Sequence, residues 1–242
     1  METFKDIKLV IFDLDGTLAD TIYVYHDGWR KELEKYNVDV SQETLNSMIG
    51  QTSDHNNKVL MNLANCSEKE VQDIMKKRDE YFYDQLKTGN VNEKNGAMSL
   101  ITSLNESEIP IAVATSSPEK RAQTILDTLG FSPYVSYAIY GEQVKQGKPD
   151  PEIYLKVLNH FCLNAEQAIV VEDSFAGLLA GTQAKISTFF VPEISLTNSQ
   201  LSKVDNEYFE GTFENLYDVK NYIGKLQYQV HIYFKKSQCH AK

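Results

Sequence analysis

Four short apolar runs limit what this chain can fold into. Residues 7–12, 109–114, 168–171 and 188–191 are rich in Val, Ile, Ala and Phe and are nearly continuous, without polar alternation. A strand with one wet face alternates, whereas a strand covered on both faces reads as an unbroken apolar run. Segments of helical period separate these runs, so the expected units are βαβ and the expected fold is α/β, a doubly wound parallel sheet. Start and stop signals agree with that reading. Ser116 and Glu119 have capping-box spacing, Pro118 suits a first turn, and Gly130 suits a helix exit. Asp150 before Pro151 opens a further helix of about ten residues.

Residues 20–90 follow a different rule. The pattern there is helix after helix, with an amphipathic stretch over 21–36 and a capping box, Ser67 to Glu70, ahead of a helix reaching about Leu86. An all-helical block between the first and second strands reads as an insertion. The expected organisation is a Rossmann-like core over 1–19 and 91–223, with a helical domain over 20–90. Residues 224–242 form a tail whose short alternating stretch, 227–234, either adds an edge strand or is disordered.

Charge and cysteine usage exclude several classes of function. A formal net charge of −10 argues against nucleic acid or an anionic membrane as the main partner. No run approaches the roughly 18 apolar residues of a membrane span, and Asp13 and Asp15 interrupt the one early apolar stretch, so no signal peptide is expected. Cys66, Cys162 and Cys239 are widely spaced, which fits neither a zinc site nor a disulfide framework. A soluble, cytoplasmic protein is expected, with Cys66 and Cys162 in the core or partly buried.

Ligands of a doubly wound sheet gather at the carboxyl ends of its strands. Asp13 and Asp15 follow the first strand, Thr115 and Ser116 the second, and Glu172 and Asp173 the third, while Lys148 lies in the loop "KQGKPDPEIY". Carboxylates at that density are expensive to desolvate unless a cation neutralises them. Oxygen ligands in such number suit Mg²⁺, which keeps several waters and binds substrate phosphate. The lysine, the hydroxyls and a helix N-terminus near Ser116 supply donors for an anion.

These residues also stand in four motifs: "DLDGTL" (13–18), "VATSS" (113–117), "GKPDPEIY" (147–154) and "VVEDSFAG" (170–177). In order and spacing they resemble those of the haloacid dehalogenase-like phosphatases. The helical insertion is placed like the four-helix cap of the β-phosphoglucomutase-like subfamily. The resemblance implies that Asp13 is the nucleophile that takes the phosphoryl group as an aspartyl-phosphate. It implies that Asp15 protonates the leaving oxygen and then deprotonates the attacking water. Mg²⁺ would be held by Asp13, the Asp15 carbonyl and Asp173, with Glu172 in a direct or water-mediated role. Thr115 and Lys148 would hold the phosphoryl oxygens, and Ser116 is either a further phosphate ligand or a helix cap. Cap residues Gly50, Gln51, Thr52 and Ser53 fall where the resemblance puts specificity.

The function so implied is a Mg²⁺-dependent phosphatase of a small phosphorylated metabolite, a sugar phosphate or similar monoester. The alternative is a β-phosphoglucomutase-like sugar phosphomutase. A dehalogenase would lack Asp15, a phosphonate hydrolase would need a Schiff-base lysine such as Lys31, Lys35 or Lys58, and an idle binding module would not keep the whole set. The phosphomutases carry a cap histidine shortly after the first motif. With Trp29 as the anchor of that helix, Tyr25 stands in the corresponding place. His26 is one residue, about 100° of helix, out of phase. Water is therefore the favoured phosphoryl acceptor. His26 alone reads as a surface residue, Tyr23, Tyr25 and Trp29 as packing, and Ser174 as a helix cap or a phosphate ligand.

Overall fold

Among the described residues six strands form one parallel sheet in the order β3-β2-β1-β4-β5-β6. Their ranges are β1 Leu9–Phe12, β2 Ile111–Ala114, β3 Val135–Ile139, β4 Ala168–Glu172, β5 Ser187–Phe190 and β6 Phe209–Thr212. The structure, a computed structural model, describes residues 7–48, 53–193 and 195–226. The strand order is that of the doubly wound fold, with the direction of winding reversing between β1 and β4.

Side chains on each central strand divide between two cores. Val10 and Phe12 of β1, Ile111 and Val113 of β2, and Ile169 and Val171 of β4 enter one apolar cluster. Leu9 and Ile11, Ala112 and Ala114, and Ala168 and Val170 enter the other. On the first side the cluster is completed by α5 (Ala97–Glu106), α6 (Glu119–Thr128) and a helix over 216–226. On the second it is completed by α7 (Glu152–Phe161) and by Ala180 of α8 (Phe175–Gln183). Burial on both faces is why these strands read as continuous apolar runs.

Edge strands β3 and β6 were not expected from the sequence. Their segments, VSYAI and FEGT, are mostly half-buried, and each pairs with one neighbour through an irregular register. A strand with one partner and a partly wet face lacks the unbroken apolar run. The Ser116–Glu119 capping box also does not form. Helix α6 begins at Glu119 behind Pro118 with no side-chain cap, and the Ser117 N–H donates instead to Thr115 Oγ1 at 3.0 Å. Proline fixes the preceding residues in an extended path, so the helix starts after it. Gly130, at φ +77°, does follow the exit of α6. Cys66 is half-buried, but Cys162 is exposed, since it ends α7 in a left-handed turn. Residues 227–234 and Cys239 lie outside the described residues.

Between β1 and α5 the described elements are all helical: α1 Ile22–Glu34, α2 Gln42–Ser47, α3 Ser53–Ala64 and α4 Glu68–Lys87. Trp29, Leu33, Leu45, Leu60, Val71 and Ile74 give these helices an apolar cluster of their own. Val24, Phe82 and Leu86, at the sheet end of α1 and α4, belong instead to the sheet's core. The outgoing and returning chain segments run side by side: Ala19 bridges Glu93, and the Asp20 N–H donates to Asn92 O at 2.9 Å. Among the described residues no helix is long and apolar enough to cross a membrane.

Helix α4 carries the complete Ser67–Glu70 capping box, with the Ser67 N–H donating to Glu70 Oε2 at 2.8 Å. Ser67→Ala removes one half of it and should destabilise the protein by about 1 kcal/mol. Urea unfolding followed by circular dichroism checks this, with a lower midpoint and an unchanged slope expected.

Candidate active site

The reversal of winding between β1 and β4 opens a crevice at their carboxyl ends. Asp13 leaves β1, and its N–H still donates to Val171 O of the neighbouring strand at 3.0 Å. Glu172 ends β4, and Asp173 follows it. Lys148 reaches in from the loop ahead of α7, donating to Asp13 Oδ1 at 2.5 Å, Glu172 Oε1 at 2.5 Å and Ala114 O at 3.0 Å. Its side chain is 2% exposed, so this is a buried, fully bonded ammonium between two carboxylates.

Glu172 is enclosed on both oxygens. Oε1 accepts from Lys148 and from Tyr154 OH at 2.7 Å, and Oε2 accepts from the Asp173 and Ser174 N–H groups and from Ser174 Oγ. A β-carbon on Gly177 would stand 1.8 Å from Oε1, so α8 approaches this carboxylate only because a glycine is there. Ser174 also caps α8, accepting from the Gly177 N–H at 3.0 Å. Asp173 Oδ1 accepts from Thr17 Oγ1 at 3.0 Å. Its Oδ2 lies against Gly16, whose φ of +89° and missing side chain let the turn pass.

Charge in this cluster is unbalanced. Burial pushes the Asp13 carboxyl up to about 8, with Glu172 and Asp15 adding to the rise and Lys148 opposing it. Burial and then Asp13 and Glu172 also raise Asp173 well above the usual carboxylate range. For Lys148, burial opposes the charge, but Asp13 and Glu172 outweigh it and hold the ammonium charged. Ligand oxygens of Asp13, Glu172 and Asp173 lie within 4.8 Å of one another. Three crowded acids facing one lysine suit a small divalent cation. All three could hold such an ion, with Glu172 the most enclosed, since both of its oxygens already accept hydrogen bonds.

Asp15 projects on the helical side. Its Oδ1 accepts from Thr21 Oγ1 at 2.9 Å and Tyr25 OH at 3.0 Å, and its Oδ2 from Ser117 Oγ at 2.6 Å. Thr115 is buried and Ser116 exposed, and both line the same cavity as Asp13, Asp15, Lys148 and Asp173. The cavity, about 230 Å³, suits a small molecule. Of the expected specificity residues, Gly50, Gln51 and Thr52 lie outside the described residues, and Ser53 opens α3.

Helical residues enclose the other end. His26, expected on the surface, is 8% exposed and lines the cavity, with Nδ1 3.1 Å from Gln42 Nε2. Tyr25 is more than packing, since its hydroxyl reaches Asp15 while its ring stacks on Phe82 at 4.7 Å. Trp29 is buried and Tyr23 exposed. Lys31 and Lys35 are about half exposed and pair with Asp27 and Glu32, and Lys58 is exposed; none of the three lines the cavity.

Sequence reasoning passed over Thr17, Thr21, Ser117 and Tyr154, and also a charged group in the cavity wall. Arg121 of α6 donates to Asp79 Oδ1 at 2.7 Å, and Arg78 of α4 forms an ion pair with the same oxygen at 3.0 Å. The Arg78 guanidinium lies 4.4 Å from the Trp29 ring centre and 5.2 Å from that of Tyr25. Burial and then the charge of Arg121 lower its pKa to about 10. A signal for Arg78 existed: Val71, Ile74, Arg78 and Phe82 share the buried face of α4, so an arginine sits where the helical period puts an apolar residue.

Comparison with known proteins agrees with this geometry. The chain is 30% identical over 184 residues to a phosphorylated carbohydrates phosphatase of Thermotoga maritima, covering 76% of this chain and 84% of the relative. It is 30% identical over 181 residues to a validoxylamine A 7′-phosphate phosphatase of Streptomyces hygroscopicus, covering 74% and 83%. A β-phosphoglucomutase from Clostridium difficile shares the fold, with a TM-score of 0.76, 24% identity, and coverage of 93% of this chain and 99% of that one. The profile of the haloacid dehalogenase-like hydrolases matches residues 10–191, and the chain belongs to that family.

Proposed function

We propose that the protein is a Mg²⁺-dependent phosphatase of a small phosphorylated carbohydrate, working through an aspartyl-phosphate on Asp13. The observation that carries this reading is the buried Lys148 ammonium bonded to Asp13 Oδ1, with Asp173 beside it and Asp15 on the opposite, helical side. Relatives named as a phosphorylated carbohydrates phosphatase and a hexitol phosphatase support it.

In this reading, Lys148 fixes one oxygen of Asp13 and leaves the other to attack phosphorus. The Thr115 hydroxyl holds a transferring phosphoryl oxygen, and Lys148, its three donors already engaged, offsets the phosphoryl charge, so positioning and charge do most of the work. Asp15 gives a proton to the leaving oxygen, then takes one from the water that cleaves the aspartyl-phosphate, regenerating Asp13. Glu172 is a positioning residue, because its contacts hold Lys148 and the Asp173 backbone in place. Asp13, Asp173 and the Asp15 carbonyl would hold Mg²⁺, which when bound supplies positive charge opposite the phosphoryl oxygens. Helices α1 to α4 act as the cap that shields the site from bulk water.

A phosphomutase shares these steps but returns the phosphoryl group to the sugar. The Tyr25 hydroxyl, rather than His26, holds Asp15, which favours water as acceptor. Hexose 1-phosphate should therefore release free phosphate without a bisphosphate activator. Stoichiometric conversion to the 6-phosphate with negligible phosphate release would establish the mutase instead.

Substitution separates the two aspartates. Asp13→Asn should lower turnover by several orders of magnitude in a folded protein. Asp15→Asn should slow alkyl esters strongly and acyl phosphates much less, because an acyl phosphate leaving group needs no proton. Equal losses on both substrates would remove Asp15 from the acid role.

Metal dependence supplies a separate check. Chelator should abolish activity and Mg²⁺ restore it, while Ca²⁺, with its larger and looser shell, should substitute poorly. Mg²⁺ should also raise the melting temperature of the wild type and not that of Asp173→Ala. Full turnover in metal-free buffer contradicts the site.

A further inference from the structure

We infer that Arg78 and Arg121 read an anionic group, a carboxylate or a second phosphate, at the far end of the substrate's leaving group. The inference rests on the phosphatase reading and names the class of substrate for the same site.

Both arginines line the cavity that holds Asp13, Asp15 and Lys148. They come from different layers, Arg78 from α4 of the insert and Arg121 from α6 against the sheet. Their guanidinium groups converge on one carboxylate oxygen, Asp79 Oδ1. One oxygen is a poor match for two five-donor forks. The Nε atoms of both arginines are buried without a hydrogen-bond partner. Buried donors are normally bonded, and two guanidinium groups that share one acceptor oxygen in the wall of one cavity have donors to spare for an acceptor that a ligand brings.

The other charge near them, Asp15, is already taken by three hydroxyl donors. Trp29 and Tyr25 lie against Arg78, and Tyr25 also against Arg121, so aromatic rings fix the guanidinium groups at low conformational cost. Planar forks held this way match a carboxylate or phosphate better than a neutral hydroxyl.

The test uses matched pairs of substrates: 6-phosphogluconate with sorbitol 6-phosphate, and fructose 1,6-bisphosphate with fructose 6-phosphate. The wild type should favour the acidic member of at least one pair by tenfold or more in kcat/KM, and which pair shows it tells carboxylate from phosphate. In Arg78→Gln and Arg121→Gln that ratio should fall at least tenfold, and a general loss of activity cancels within the ratio. A wild type that prefers the neutral member of both pairs overturns the inference, whether or not the variants fold. So do variants whose ratio equals that of the wild type. Turnover of p-nitrophenyl phosphate, whose leaving group has no second anion, reports on the phosphatase reading separately.

Discussion

The ammonium of Lys148 is the contact on which the rest of the site depends. It ties Asp13 at the end of β1 to Glu172 at the end of β4 and to the Ala114 carbonyl at the end of β2. Three central strands thus end on one cation. Removing one partner from a buried pair costs about 3–5 kcal/mol, because the charge left behind has no water. The sheet brings these ends together, and the charge balance then fixes their spacing. Glycines at 16 and 177 belong to the same constraint, since each leaves room for a carboxylate that a side chain would displace.

Around that contact the polar groups form layers. Tyr154 and the Ser174 hydroxyl complete the shell of Glu172, so that Glu172 in turn holds Lys148. Thr17 does the same for Asp173. Lys148, Glu172 and Asp173 are therefore set by neighbours packed in the interior, which is how a site keeps its geometry without a ligand. Asp15 differs, because two of its three hydroxyl donors, Thr21 and Tyr25, come from the start of the helical insert. Its position is linked to how α1 sits on the sheet, and so to closure of the cap in the proposed reaction.

Much of the fold was legible because its central strands are covered on both faces and thus announce themselves locally. Edge strands β3 and β6 were hidden because a strand with one neighbour is recognised by its pairing, which is not a local property. The Ser67 capping box was readable, since all its atoms lie within one turn. The Ser116 box was not, because the path set by Pro118 overrode the spacing. In the site, Asp13, Asp15, Thr115, Glu172 and Asp173 were found through motifs at strand ends and Lys148 through a loop motif, and the structure brings them to one crevice.

What the sequence determined by itself was the α/β class, the helical character of the insertion and the residues at the strand ends. Each depends on periodicity or on motifs a few residues long. Only the tertiary structure decided that Ser117 rather than Ser116 meets Asp15, and that Tyr25 does so while His26 turns to Gln42. It alone brought Arg78, Asp79 and Arg121 together, across more than forty residues of chain. Those outcomes depend on how far each helix is rotated about its axis and how closely the insert packs on the core. One residue of rotation swings a side chain by about 100°, and the packing of the whole domain fixes that angle.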